Sequence, residues 1–173
     1  MSKVIFAIVA IALLAVAGVS ADLTADQQND QALCKDYCSK EWPEEANCAD
    51  VCTQSAVGEV TDCNAGENDG SNEKYAFWQG CAYGTGLNRN ASCKSFCSKV
   101  RSQHKYSKFF ELGCTHVCKM IVEKAKGGNL SCRNSICPKL WNIEGCWRAC
   151  GYANGMVHGT DSTTLDINIA EGN

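Results

Sequence analysis

The chain has 173 residues, 14 of them cysteine, and 16 Lys and Arg against 19 Asp and Glu give a formal charge of −3. No block of basic residues exists to grip phosphate, so nucleic acid is excluded as an expected partner. An even, high cysteine count in a chain of this size reads as a disulfide framework, provided the chain is exported.

Export is what the first residues predict. Lys3 precedes an apolar run from Val4 to Gly18, and Val19-Ser20-Ala21 supplies the small residues of a cleavage site. That is the pattern of a secretory signal peptide over 1–21. The run is short for a bilayer span, so a retained anchor is disfavoured and no stable membrane insertion is expected. Removing 1–21 takes away one charge, Lys3, and no cysteine. Zinc is set aside, because export leaves thiols oxidised rather than free to hold metal.

Residues 22–33 form a polar lead-in, expected to be loose. A disulfide-rich helical domain follows over 34–150, and a polar tail over 151–173. Within the domain one unit recurs. It opens CKDYCSK, CKSFCSK and CRNSICPK at Cys34, Cys93 and Cys132, and closes CADVC, CTHVC and CWRAC at Cys52, Cys118 and Cys150. Two lone cysteines, Cys63 and Cys81, are as far apart as Cys34 is from Cys52, and the openings at Cys34, Cys63, Cys93 and Cys132 are nearly evenly placed. Four tandem units are therefore expected, 34–52, 63–81, 93–118 and 132–150, the second lacking the inner cysteine pair and starting with an irregular arm.

Residues four apart lie one above the other on a helix, so each C-x-x-x-C arm carries a column of two sulfurs. Two antiparallel arms bring their columns together in reversed order. First then pairs with fourth and second with third, which keeps the Cα atoms near bonding separation. The expected bridges are Cys34–Cys52, Cys38–Cys48, Cys93–Cys118, Cys97–Cys114, Cys132–Cys150 and Cys137–Cys146, with Cys63–Cys81 alone. Bridges between units stay open as an alternative. Cys132 and Cys137 are five apart, which turns the second sulfur by about 140° on a regular helix, so a wide or 3₁₀ last turn is expected before Pro138. Each closed loop should contribute on the order of 3 kcal/mol, leaving little need for a large apolar core.

The strongest helical pattern runs from Tyr106 to Lys126 and stops at Gly127-Gly128. Phe109, Leu112, Val117, Met120 and Ile121 recur near helical period, a stripe expected to face the core. In the tail, Leu165, Ile167 and Ile169 alternate as in a short edge strand.

No residues mark an enzyme. His104, His116 and His158 belong to no HExxH, and no GxSxG occurs. A secreted phospholipase A2 can also carry fourteen cysteines, but it needs an adjacent His-Asp pair; here the histidines precede Lys105, Val117 and Gly159. No cofactor and no metal are expected. Asn90-Ala91-Ser92 and Asn129-Leu130-Ser131 are N-glycosylation acceptors, and Ser92 and Ser131 are also placed to cap helices.

The turns between arms should meet a partner. The first is acidic (Glu41, Trp42, Glu44, Glu45), the last carries Leu140 and Trp141, and the long one is basic and aromatic. From that long turn Lys99, Arg101, Lys105, Tyr106, Lys108 and Phe109 are the candidate partner-binding residues, because loops on a rigid support commonly carry recognition.

The C-x-x-x-C, loop, C-x-x-x-C unit resembles the α-hairpinins, helical hairpins with two nested bridges that include potassium-channel toxins, antimicrobial peptides and trypsin inhibitors. More loosely the chain is similar to the con-ikot-ikot toxins of cone snails. The resemblance implies an all-α, disulfide-rich fold of stapled hairpins. It also implies a secreted, non-catalytic, toxin-like or signalling protein that binds an extracellular receptor or ion channel. An alternative is a multi-headed serine-protease inhibitor. The inhibitory hairpins place a basic residue directly after the second cysteine, where this chain has Ser39, Ser98 and Pro138, with lysines one step later. A structural or pheromone-like secreted protein is the third expectation.

Overall fold

The computed structural model describes residues 23–63, 71–88, 92–125, 130–139 and 143–159. The expected leader 1–21, Asn90, Asn129, Leu140, Trp141 and the alternating Leu165–Ile169 segment lie outside them. The described residues form six α-helices: α1 (Ala25–Glu41), α2 (Ala46–Ala56), α3 (Ser71–Leu87), α4 (Cys93–His104), α5 (Lys108–Ala125) and α6 (Ile143–Gly159). Among the described residues there is no strand, and no helix is long and apolar enough to cross a membrane. The fold is all-α and disulfide-rich.

Local chemistry sets several helix starts. α1 begins at Ala25, inside the lead-in expected to be loose over 22–33, because Thr24 and Gln27 form a reciprocal capping box that satisfies two orphan amides. Ser92 accepts from the Ser95 amide at 3.2 Å and starts α4, and Ser131 accepts from the Asn134 amide at 3.0 Å. Both serines thus cap helical turns, as their position before a cysteine predicts.

The bridges pair as nested columns: Cys34–Cys52 and Cys38–Cys48, Cys93–Cys118 and Cys97–Cys114, Cys132–Cys150 and Cys137–Cys146, with Cys63–Cys81 alone. No bridge joins two units, and no cysteine is free. The five-residue spacing in the last unit is absorbed by a π-helical turn over Cys132–Ile136, closed by the Cys137 amide on the Cys132 carbonyl and followed by a 3₁₀ turn over Cys137–Lys139. The wider winding brings Cys137 back toward the column that Cys132 begins.

The units do not stack in chain order. α3 packs against α2 on one side and α6 on the other, and α6 in turn packs between α3 and α5. Glycines make this close approach possible. Gly80 and Gly84 of α3 rest on the Cys48 and Cys52 carbonyls of α2, and Gly151 and Gly155 of α6 rest on the Gln79 and Tyr83 carbonyls of α3. A methyl group at any of them would overlap backbone, so the helix axes can come this near only where side chains are absent.

That packing corrects the expected tail. The boundary at Gly151 is not the end of the domain: α6 continues to Gly159, and Gly151 through Met156 are buried. The glycines that make the stretch look like a loop are its packing face. A second correction concerns the α5 stripe. Phe109 is 85% exposed and Leu112 58%, so these two leave the stripe, whereas Ile121 is buried and Val117 and Met120 pack against the core as expected, beside Phe110, Cys114, Cys118, Val122 and Ala125. A third concerns the acidic turn, where Glu41 and Trp42 are buried and only Glu44 is fully exposed.

The core is aromatic as well as sulfur-rich. Tyr37 stacks on Tyr83 at 3.9 Å, Phe96 on Tyr152 at 4.0 Å, and the fully buried Arg148 guanidinium lies 3.8 Å over the Trp78 ring. Gln79 is its polar node. Its amide donates to the Tyr37 hydroxyl at 2.6 Å and to Glu41 Oε2 at 3.1 Å, and its oxygen accepts from Trp42 Nε1 at 2.8 Å. Glu41 Oε2 also accepts the Arg133 amide at 3.0 Å, tying the last unit to the first. Cys132 is bridged and has no proton, so the Tyr37 hydroxyl donates to its sulfur at 3.2 Å.

Candidate functional site

The α4–α5 hairpin is the support for the basic, aromatic turn. Its arms are joined at two levels by Cys93–Cys118 and Cys97–Cys114, the latter nearer the apex. Above that bridge the Arg101 guanidinium meets Glu111 Oε2 at 2.7 Å, a cross-hairpin brace. Lys105 ends α4 in the left-handed region at φ 53°, its amide bonded to the Arg101 carbonyl, so the chain reverses within three residues. The Ser107 carbonyl and hydroxyl then both accept from the Phe110 amide, which starts α5.

This geometry divides the six candidate residues. Arg101 and Tyr106 face inward: Arg101 is paired to Glu111, and the half-buried Tyr106 ring lies 4.4 Å from Phe110 and 5.6 Å from His104. His104 Nε2 is itself 3.5 Å from Asp62 Oδ1, which fixes the turn against the segment before Cys63. Lys105, Lys108 and Phe109 are exposed together at the apex. Leu112, one turn along α5, extends the apolar surface beside Phe109. Lys99 is not part of this group; it lies nearly two turns back along α4.

The apex therefore offers two cations and a protruding phenyl ring on a framework with little freedom. A ring left in water at a fixed position is poised for burial against a partner, and rigid support lowers the ordering cost of binding. Leu112 was expected in the core-facing stripe rather than at the apex, and the brace residue Glu111 was not among the candidate partner-binding residues. Glu111 could have been found as the acid facing a basic arm across a hairpin whose bridges set the register.

His116 is exposed on α5 next to bridged Cys114 and Cys118. Among the described residues no cluster of three or more His, Cys, Asp or Glu is placed to hold a metal ion. No family model, curated protein or solved structure matches this chain.

Proposed function

We propose that the protein is secreted and acts without catalysis, as a toxin-like or signalling ligand whose α4–α5 apex enters an acidic, apolar-rimmed recess of an extracellular receptor or ion channel. The observation that carries this reading is Phe109, 85% exposed directly after the exposed Lys108 and four residues past the exposed Lys105, on a doubly bridged hairpin. Full oxidation of all cysteines supports an extracellular site of action, since such frameworks persist in oxidising compartments. The protease-inhibitor alternative has less support. The basic residues stand one position past the place that the inhibitory hairpins use, and Lys40 is held to Asp36 at 2.7 Å.

The test has two arms run on the oxidised chain. The first measures block or modulation across a panel of cation channels and ligand-gated receptors, with Phe109→Ala and Lys108→Glu beside the parent. Activity lost in both variants supports the proposal. The second measures trypsin inhibition with Lys99→Ala and Lys139→Ala. Tight inhibition abolished by either substitution would sink the ligand reading in favour of an inhibitor.

A further inference from the structure

Apart from the apex, a cavity of about 240 Å³ opens where α2, α3, α4 and α6 meet. Phe96 and Tyr152, stacked at 4.0 Å and both buried, contribute its apolar lining together with Val60. The hydroxyls of Ser55 and Thr85 are held back toward the protein: Ser55 Oγ donates to Cys81 Sγ at 3.3 Å and Thr85 Oγ1 to the Cys81 carbonyl at 2.9 Å. Both protons are thereby used internally. Among the described residues the single charged one in the lining is Lys99, whose side chain is exposed. No Asp or Glu lines the cavity, and Lys99 takes part in no ion pair among the described residues.

The walls are fixed before any ligand arrives. Cys63–Cys81 anchors the loop after α2 to α3, and Cys93–Cys118 anchors α4 to α5 on the far side. The turn at Gly58, with φ +82°, is part of the lining, and only Asn88 approaches the position a side chain would take there. Apolar walls with a few convergent polar groups, set between helices of a bundle, are the usual make-up of a small-molecule site. Such pockets commonly run from roughly 300 to 1,000 Å³, so this one suits a small occupant.

We propose that this cavity binds a small monocarboxylate with a compact apolar body, the body against Phe96 and Val60 and the carboxylate at the Lys99 ammonium. Apolar burial supplies attraction, and the uncompensated cation selects an acid over its neutral analogue. The site is independent of the apex and does not rest on the receptor-ligand reading.

The experiment is a titration of the ¹⁵N-labelled, oxidised chain with phenylacetate and, separately, with 2-phenylethanol. The expected result is saturable shifts at Phe96, Lys99 and Tyr152, with the acid bound at least tenfold more tightly than the alcohol. Lys99→Gln should reduce that preference to near one. Ser95→Trp, at an exposed position on the rim, should abolish binding of both while the helical circular dichroism stays unchanged. Absence of saturable shifts with phenylacetate, equal binding of acid and alcohol by the parent chain, or unaltered binding in Ser95→Trp would each overturn the proposal.

Discussion

The Gln79 amide donates to the Tyr37 hydroxyl at 2.6 Å, and this one bond links α1 of the first hairpin to α3 of the single-bridge unit. Burial first, and the nearby Glu41 charge second, push the Tyr37 hydroxyl well above its ordinary range, so it stays protonated and keeps donating to the Cys132 sulfur. Replacing Gln79 by Leu removes the acceptor of Trp42 Nε1 and one donor to Glu41. An orphaned buried group costs about 1–3 kcal/mol, so Gln79→Leu should lower stability by roughly 3 kcal/mol. Urea midpoints measure it, and a loss below about 1 kcal/mol would mean that the node is not structural.

Two glycines in helices should respond to alanine with opposite sign. Gly155 lies on the Tyr83 carbonyl, and a methyl group there must push α6 off α3, so Gly155→Ala should destabilise by about 2 kcal/mol or more. Gly113 sits mid-helix in α5 with nothing within 4 Å of a Cβ, so Gly113→Ala should stabilise by about 0.5–1 kcal/mol through helix propensity. Thermal melts of the pair test the packing directly.

The apex should be separable from the fold. Phe109 is almost free of intramolecular contact, so Phe109→Ala should leave stability within about 0.5 kcal/mol of the parent while weakening partner binding. Arg101→Ala removes the brace to Glu111 and should instead loosen the turn, seen as faster amide exchange at Lys105 and Tyr106.

His158 predicts a pH response. Burial lowers its basicity below the ordinary histidine value, with the Asp36 charge opposing and Lys40 adding to the effect. The Tyr83 hydroxyl, itself raised chiefly by burial and kept protonated, is hydrogen-bonded to His158 Nδ1 and can donate to it when the ring is neutral with its proton on Nε2. The unfolded chain therefore takes up the proton first as pH falls. The contribution is full above about pH 6.5 and declines below it. The melting temperature should fall modestly between pH 7.5 and 5, and His158→Gln should flatten that slope.

What the sequence shows and hides follows from the kind of signal each residue carries. Cysteine columns read clearly, because spacing of four on a helix leaves one nested pairing per hairpin. The α5 stripe misled only in its first turn, where Phe110 rather than its neighbour Phe109, about 100° away round the helix, faces the core. Glycine misled more deeply. Gly151, Gly155 and Gly159 recur every fourth residue, a register that serves close helix approach, yet each glycine taken singly reads as a helix breaker. The buried Glu41 was hidden for another reason: its partners Gln79 and Arg133 come from remote units.

Because every bridge closes inside its own unit, over separations of 9 to 25 residues, the chain is covalently a string of four clasped beads. Nothing but side-chain and glycine-face contact sets how the beads are arranged. Strong denaturant without reductant should scatter the beads and erase the aromatic environment while each clasp stays shut on its own partner. Removing the denaturant then leaves no sulfur to be re-sorted, only a few stiff pieces to be brought back together. The oxidised protein thus carries the record of its correct pairing through unfolding, and exposure to denaturing conditions becomes a reversible event.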